Sequence, residues 1–160
     1  MSDVSSDQDG DFYNQHIWEA EFRSSRWFTR GWTLQELLAP TSVEFFSVQG
    51  NRLGDKRSLE SQIHEITKIP IQALRGDPLH HFSIEERMEW TKGRITTRKE
   101  DRAYCLQGIF GVFLSPIYGE GDHAFMRLEQ AIESYLNGKS SCHVEMFVNA
   151  SQLRLTLRNS

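Results

Sequence analysis

The sequence predicts a helix-dominated α/β domain with few strands. Apolar residues recur at helical spacing in five or six segments, whereas one segment, Ser42 to Val48 (SVEFFSV), has the β-branched and aromatic character of a strand. Ten Phe, four Tyr and four Trp in 160 residues supply a core, although the 38% hydrophobic share is below that of an ordinary globular chain.

Residues 1–15 are rich in Ser and Asp and read as loop. From Trp18 to Ala39 the pattern is apolar and helical until Pro40, which cannot continue a helix. Gly50-Asn51 ends the strand that follows. Ser58 then precedes Leu59, Ile63 and Ile66, a helix stopped by Pro70. Ser83-Ile-Glu-Glu86 is a capping box, in which the serine hydroxyl and the glutamate carboxylate each satisfy a free backbone N–H. Behind it Ile84, Met88, Thr91 and Ile95 share a face. Thr97-Arg-Lys-Glu100 has the same spelling and precedes Ala103, Leu106 and Phe110, with Gly111 as the stop. Asp122 is placed to cap a last helix with Phe125, Leu128, Ile132 and Tyr135 on its apolar face and Gly138 at its end. Leu153 to Leu157 alternates weakly and reads as a short strand or a tail. A lone strand leaves both edges unpaired. It either pairs with that tail or has its partners in sequence that the chain lacks, and the second reading is the one expected.

The net charge of −4 comes from 18 basic and 22 acidic residues spread along the chain, so neither a basic patch for nucleic acid nor an acidic tail stands out. No apolar run reaches the roughly 18 residues of a membrane span. Cys105 and Cys142 lack metal-ligand spacing, and the adjacent His80 and His81 cannot converge on one ion. The expectations are therefore a cytoplasmic location, no metal, no cofactor, no membrane and no nucleic acid.

Three stretches resemble the fungal heterokaryon-incompatibility (HET) domain family. They are Ser25-Arg-Trp-Phe-Thr-Arg-Gly-Trp-Thr-Leu-Gln-Glu-Leu-Leu-Ala-Pro40, the run Arg94-Ile-Thr-Thr-Arg-Lys-Glu-Asp-Arg-Ala-Tyr-Cys-Leu-Gln-Gly-Ile-Phe-Gly-Val112, and Tyr118-Gly-Glu-Gly121. The motif positions are Arg30, Gly31, Trp32, Thr33, Gln35 and Glu36, then Arg98, Glu100, Asp101 and Tyr104, and finally Tyr118, Gly119, Glu120 and Gly121. Nothing here matches the family's N-terminal half, which holds strands and a Ser-His-Thr-Trp-like segment. The resemblance therefore implies the C-terminal half of such a domain. Residues 1–21 read as a polar N-terminal loop, 22–137 as the C-terminal portion of the HET domain and 138–160 as a variable tail.

The family is itself remotely similar to TIR domains, so the resemblance implies a partial TIR-like (flavodoxin-like) fold with most of its sheet strands missing. It also implies a role in non-self recognition and programmed cell death through protein partners or self-association. TIR domains that cleave NAD carry a glutamate in a Trp-x-x-x-Glu pattern, and Trp32-Thr-Leu-Gln-Glu36 has that spacing. The alternative function is thus a TIR-like NAD glycohydrolase, with Glu36 as catalytic carboxylate and NAD as substrate, active only in a complete domain.

Plainer readings stand beside these. Glu36 is a helix carboxylate paired to Arg26, Arg30 or another cation, and Trp27 and Trp32 are core aromatics. Arg94, Arg98, Glu100, Asp101 and Arg102 form either a solvated helix start or a buried ion network. Gly119-Glu-Gly-Asp-His-Ala124 spells a dinucleotide fingerprint, but Pro116 interrupts any strand before it and too little chain follows, so a turn and helix start is favoured. Cys105 is expected to be a buried thiol.

Overall fold

The computed structural model describes residues 18–137 and the strand Leu153–Thr156. The observed architecture is the expected one, helix-dominated with a small sheet. The expectations for residues 1–15 and for a stop at Gly138 lie outside the described residues.

The apolar run from Trp18 to Ala39 is three pieces rather than one helix. Residues 18–23 are helical, a 3-10 turn spans Arg26–Thr29, and α1 spans Thr33–Leu38. Ser25 breaks the run, because its hydroxyl accepts from the Trp27 amide and starts the 3-10 turn. The breaks fold the segment over the sheet, so that Phe22, Phe28 and Phe45 become buried. Phe22 meets Phe28 at 5.1 Å and Phe45 at 5.2 Å, both edge-to-face, and Trp27 closes on Phe45 at 5.7 Å. Such pairs contribute about 0.5–1.5 kcal/mol each beyond their buried area.

Strand β1, Val43–Phe46, is not alone. A hairpin returns as β2, Arg52–Asp55, antiparallel to β1 with a register shift between Phe45 and Phe46. The turn is closed by Ser47 N–H to Asn51 O at 2.8 Å and Gly50 N–H to Ser47 O at 2.9 Å. On its other side β1 pairs in parallel with β3, Leu153–Thr156, giving the order β2-β1-β3. The strand therefore pairs with the tail and with β2, both within the chain, instead of with strands that the chain lacks.

Helices α2 (Glu60–Thr67) and α3 (Ile71–Leu74) follow, with Ile63, Ala73 and Leu74 buried. A 3-10 turn at Leu79–His81 leads into α4, Ile84–Glu89. The Ser83–Glu86 capping box is present in both directions, at 3.1 and 2.7 Å. α4 ends before Trp90, however, so Ile95 leaves the expected face and is exposed. The second capping box does not form: α5 spans only Asp101–Tyr104, and Glu100 turns elsewhere. α6 covers Gln107–Phe110, with Gly111 in the left-handed conformation as its stop. α7, His123–Leu136, buries Ala124, Leu128 and Ile132, whereas Tyr135 is exposed. Asp122 precedes α7 without capping it through its side chain and faces Lys99 at 3.3 Å.

Candidate functional site

The first two motif stretches are joined by their backbones. Ile95 N–H donates to Thr29 O at 2.7 Å, and Gly31 N–H donates to Ile95 O at 2.9 Å. The approach is close enough to require glycine: a Cβ at Gly31 would stand 2.5 Å from Thr96 Cγ2 and 3.0 Å from Cys105 Sγ. Arg94 locks the junction, donating through Nη1 to Arg30 O and Thr33 Oγ1, both at 2.9 Å, and through Nε to Trp90 O at 3.1 Å. Burial pushes the Arg94 pKa down to about 10. Gln35 adds a further tie by donating its amide to the Cys105 carbonyl.

The second stretch holds the third. Glu100 Oε1 accepts the Gly119 amide at 2.8 Å and the Gly121 amide at 3.0 Å, and hydrogen bonds from backbone amides hold its pKa below the usual range. Those glycines have φ of 101° and 61°, which suits the turn that presents their amides to one oxygen. The Tyr104 hydroxyl accepts from the Ile117 amide at 2.7 Å and donates to Glu120 Oε1 at 2.5 Å. Burial first, and then the Glu120 carboxylate, raise the tyrosine pKa. Glu120 also pairs with Arg127 at 2.6 Å. The Tyr118 hydroxyl donates to Asp101 at 3.0 Å, and Arg98 lies 4.7 Å from the centre of the Tyr118 ring. Arg102 likewise lies over Phe125 at 4.6 Å.

The cluster around Arg94 to Arg102 is therefore not a buried ion network. Arg94 is held by carbonyls and a hydroxyl, Glu100 by backbone amides and Asp101 by the Tyr118 hydroxyl, while the exposed Arg98 and Arg102 lie over aromatic rings. Of the sequence-chosen residues, Gly31, Thr33, Gln35, Arg98, Glu100, Asp101, Tyr104, Tyr118, Gly119, Glu120 and Gly121 belong to this one framework, to which Arg30 contributes its carbonyl. Trp32 and Glu36 do not join it. Trp32 is 39% exposed rather than a core residue. Glu36 is exposed on the same side of α1 and forms no ion pair with Arg26, Arg30 or any other described residue.

Three clefts lie nearby. One of about 490 Å³ lies between Thr41, Asp55, Lys56 and Arg75. One of about 430 Å³ runs from Gln35 past Pro40 to Leu79 and Ile109. A third, of about 360 Å³, opens between Gly31, Met88, Arg94, Arg102, Cys105 and Phe125. Glu36 lines none of them. The described residues include no cluster of metal-ligating side chains. No described helix is long and apolar enough to cross a membrane. Cys105 is a buried free thiol, as expected, with its pKa raised to about 11 mainly by burial.

Sequence reasoning passed over two buried cations. Lys56 donates to Leu37 O at 3.1 Å and Pro40 O at 2.5 Å, closing the C-terminus of α1. Arg87 donates to Ile109 O at 2.9 Å beneath the Phe110 ring. Neither has a local signal that reveals its burial, because Leu37, Pro40 and Ile109 are distant in sequence.

No family profile and no solved structure matches the chain. Over 136 residues, 82% of its length, it is 55% identical to vegetative incompatibility protein HET-E-1 of Podospora anserina. It spans 10% of the length of that protein.

Proposed function

We propose that the chain is part of a HET domain, a module that signals vegetative incompatibility and cell death through protein contacts. The observation that carries the reading is the 55% identity to HET-E-1 over 136 residues. The chemistry of the motifs agrees with it. Their polar side chains are spent on one another, which suits a framework that presents a surface better than a reaction centre. Among the apolar side chains that face outward are Trp32 and Ile95, brought together by the Gly31–Ile95 bond and exposed at 39% and 64%. Exposed aromatics of this kind are common anchors of protein interfaces.

A second reading rests on Glu36, a carboxylate without an ion pair that shares the outward side of α1 with Trp32. In a complete domain of TIR type it would be the catalytic carboxylate of NAD cleavage, stabilising the positive charge that develops as nicotinamide departs.

The test is a HET-E-1 chimera in which this chain replaces the matching segment. The incompatibility reaction and cellular NAD are scored in fungal cells. The interaction reading expects death to survive Glu36→Gln, with NAD unchanged, and to be lost in Trp32→Ser. Loss of both death and NAD depletion in Glu36→Gln, with the fold intact, would replace it with the enzyme reading. Arg127 on α7 is unsuitable as a surface probe, because its guanidinium is engaged by Glu120 and by Ser115 O at 3.1 Å.

A further inference from the structure

The 360 Å³ cleft beside Gly31 differs in charge from the rest of the molecule. The chain carries a net charge of −4, yet the cleft is lined by Arg94, Arg102 and Lys92 and by no Asp or Glu. Arg94 is the informative member. Its Nε and Nη1 are consumed by Trp90 O, Arg30 O and Thr33 Oγ1, while Nη2 makes no hydrogen bond to any described residue. No described side-chain donor is both buried and unpartnered, so Nη2 reaches solvent. A cation drawn partly out of water normally has a carboxylate beside it; the half-buried Arg94 has carbonyls and a hydroxyl. Arg102 lies over Phe125 and has no ion pair with a described residue. Lys92 is held only by the exposed Glu89, a pairing of the kind that contributes little.

We propose that this cleft binds a small organic phosphate, its phosphoryl group held by Arg94, Arg102 and Lys92 and its organic part set against Met88, Leu106 and Phe125. Arg94 offers Nη2 alone, whereas the Arg102 guanidinium can match two phosphoryl oxygens, and three cations without an acid suit a dianion better than a monovalent carboxylate. The volume lies at the lower end of the range for small-molecule sites, roughly 300–1,000 Å³. The apolar wall gives a phosphate monoester an advantage over inorganic phosphate. None of Trp32, Ile95 and Glu36 lines the cleft, so binding here is read separately from the two functional readings.

Calorimetric titration of the 160-residue chain tests it, with phenyl phosphate, inorganic phosphate and acetate compared at one ionic strength. Saturable binding is expected for both phosphates, tighter for phenyl phosphate, and none for acetate. Arg102→Gln changes an exposed side chain and should weaken phenyl phosphate by about tenfold without altering the far-ultraviolet spectrum. Lys92→Gln, at a position whose side chain is 72% exposed, gives a second reading in the same direction if Arg102→Gln folds poorly. Arg94 is left intact because it holds the Thr29–Ile95 junction. Absence of saturable binding, equal binding of acetate, or unchanged affinity in both variants overturns the proposal.

Discussion

Arg94, Arg87 and Lys56 are cations turned inward, and each donates to main-chain carbonyls where a carboxylate would be the ordinary partner. Burial lowers the pKa of all three. Aromatic positions divide by burial in an equally simple way. Phe45 is fully buried against Phe22 and Trp27, whereas Trp32 is 39% exposed. Phe45→Ala is therefore expected to cost about 3–5 kcal/mol and Trp32→Ala less than about 1 kcal/mol, read from urea midpoints. Equal losses would mean that Trp32 is covered in the folded protein. Cys105 supplies a pH dependence. Its folded pKa of about 11 lies above the ordinary thiol value of 9.0, so an unfolded chain loses the thiol proton before the folded one does. The contribution is complete below about pH 9 and disappears as pH rises toward 11. In a Cys142→Ser chain, iodoacetamide should label Cys105 slowly at pH 9 until urea unfolds it. Equal rates in the folded and unfolded states would contradict this.

At the scale of elements, two capping-box patterns have different outcomes. Ser83-Ile-Glu-Glu86 formed its capping box because both side chains were free to turn back on the local backbone. Thr97-Arg-Lys-Glu100 did not, because Glu100 is claimed by the Gly119 and Gly121 amides about twenty residues away in sequence. Acid titration exposes the difference. The Glu100 pKa is lowered on folding, so its contribution is present above the ordinary glutamate range and is lost as pH falls below it. Thermal melts of Glu100→Ala should therefore lie below those of the parent at pH 7 and approach them below about pH 4. A constant gap would assign the loss to packing.

The same contrast marks what the sequence could reveal. β1, α2, α4 and α7 were legible because each shows apolar periodicity or a strong strand run. β2 was not, since Arg-Leu-Gly-Asp has little strand propensity and is held by its ladder to β1 and by the cross-strand Arg52–Glu44 pair at 2.9 Å. The break at Ser25 was equally hidden, because only the docking of Phe22 and Phe28 onto Phe45 selects it. Of the motif residues, the sequence located almost the whole framework but not its bonds, as each bond joins segments separated by loops.

For the molecule as a whole, this framework ties residues about 30 to 127 into one unit. Its links are Gly31 to Ile95, Thr33 to Arg94, Gln35 to Cys105, Glu100 to Gly119 and Gly121, and Tyr104 to Glu120 and Arg127. Such a chain of shared partners predicts non-additive energetics. Thr33→Val and Arg94→Met remove the two ends of one bond, and Arg94 also supports the Arg30 carbonyl next to it. After the first substitution the second has less to lose, so their double-mutant cycle should show a coupling of about 0.5–3 kcal/mol. The Glu60–Arg75 pair provides the control. It joins α2 to the C-terminus of α3, is largely exposed on the arginine side, and shares no partner with Arg94. Glu60→Gln with Arg94→Met should therefore add to within about 0.5 kcal/mol. If both cycles prove additive, the motif segments are neighbours without being one cooperative unit. Coupling in the first cycle alone would show that the first two motif stretches fold as a single framework.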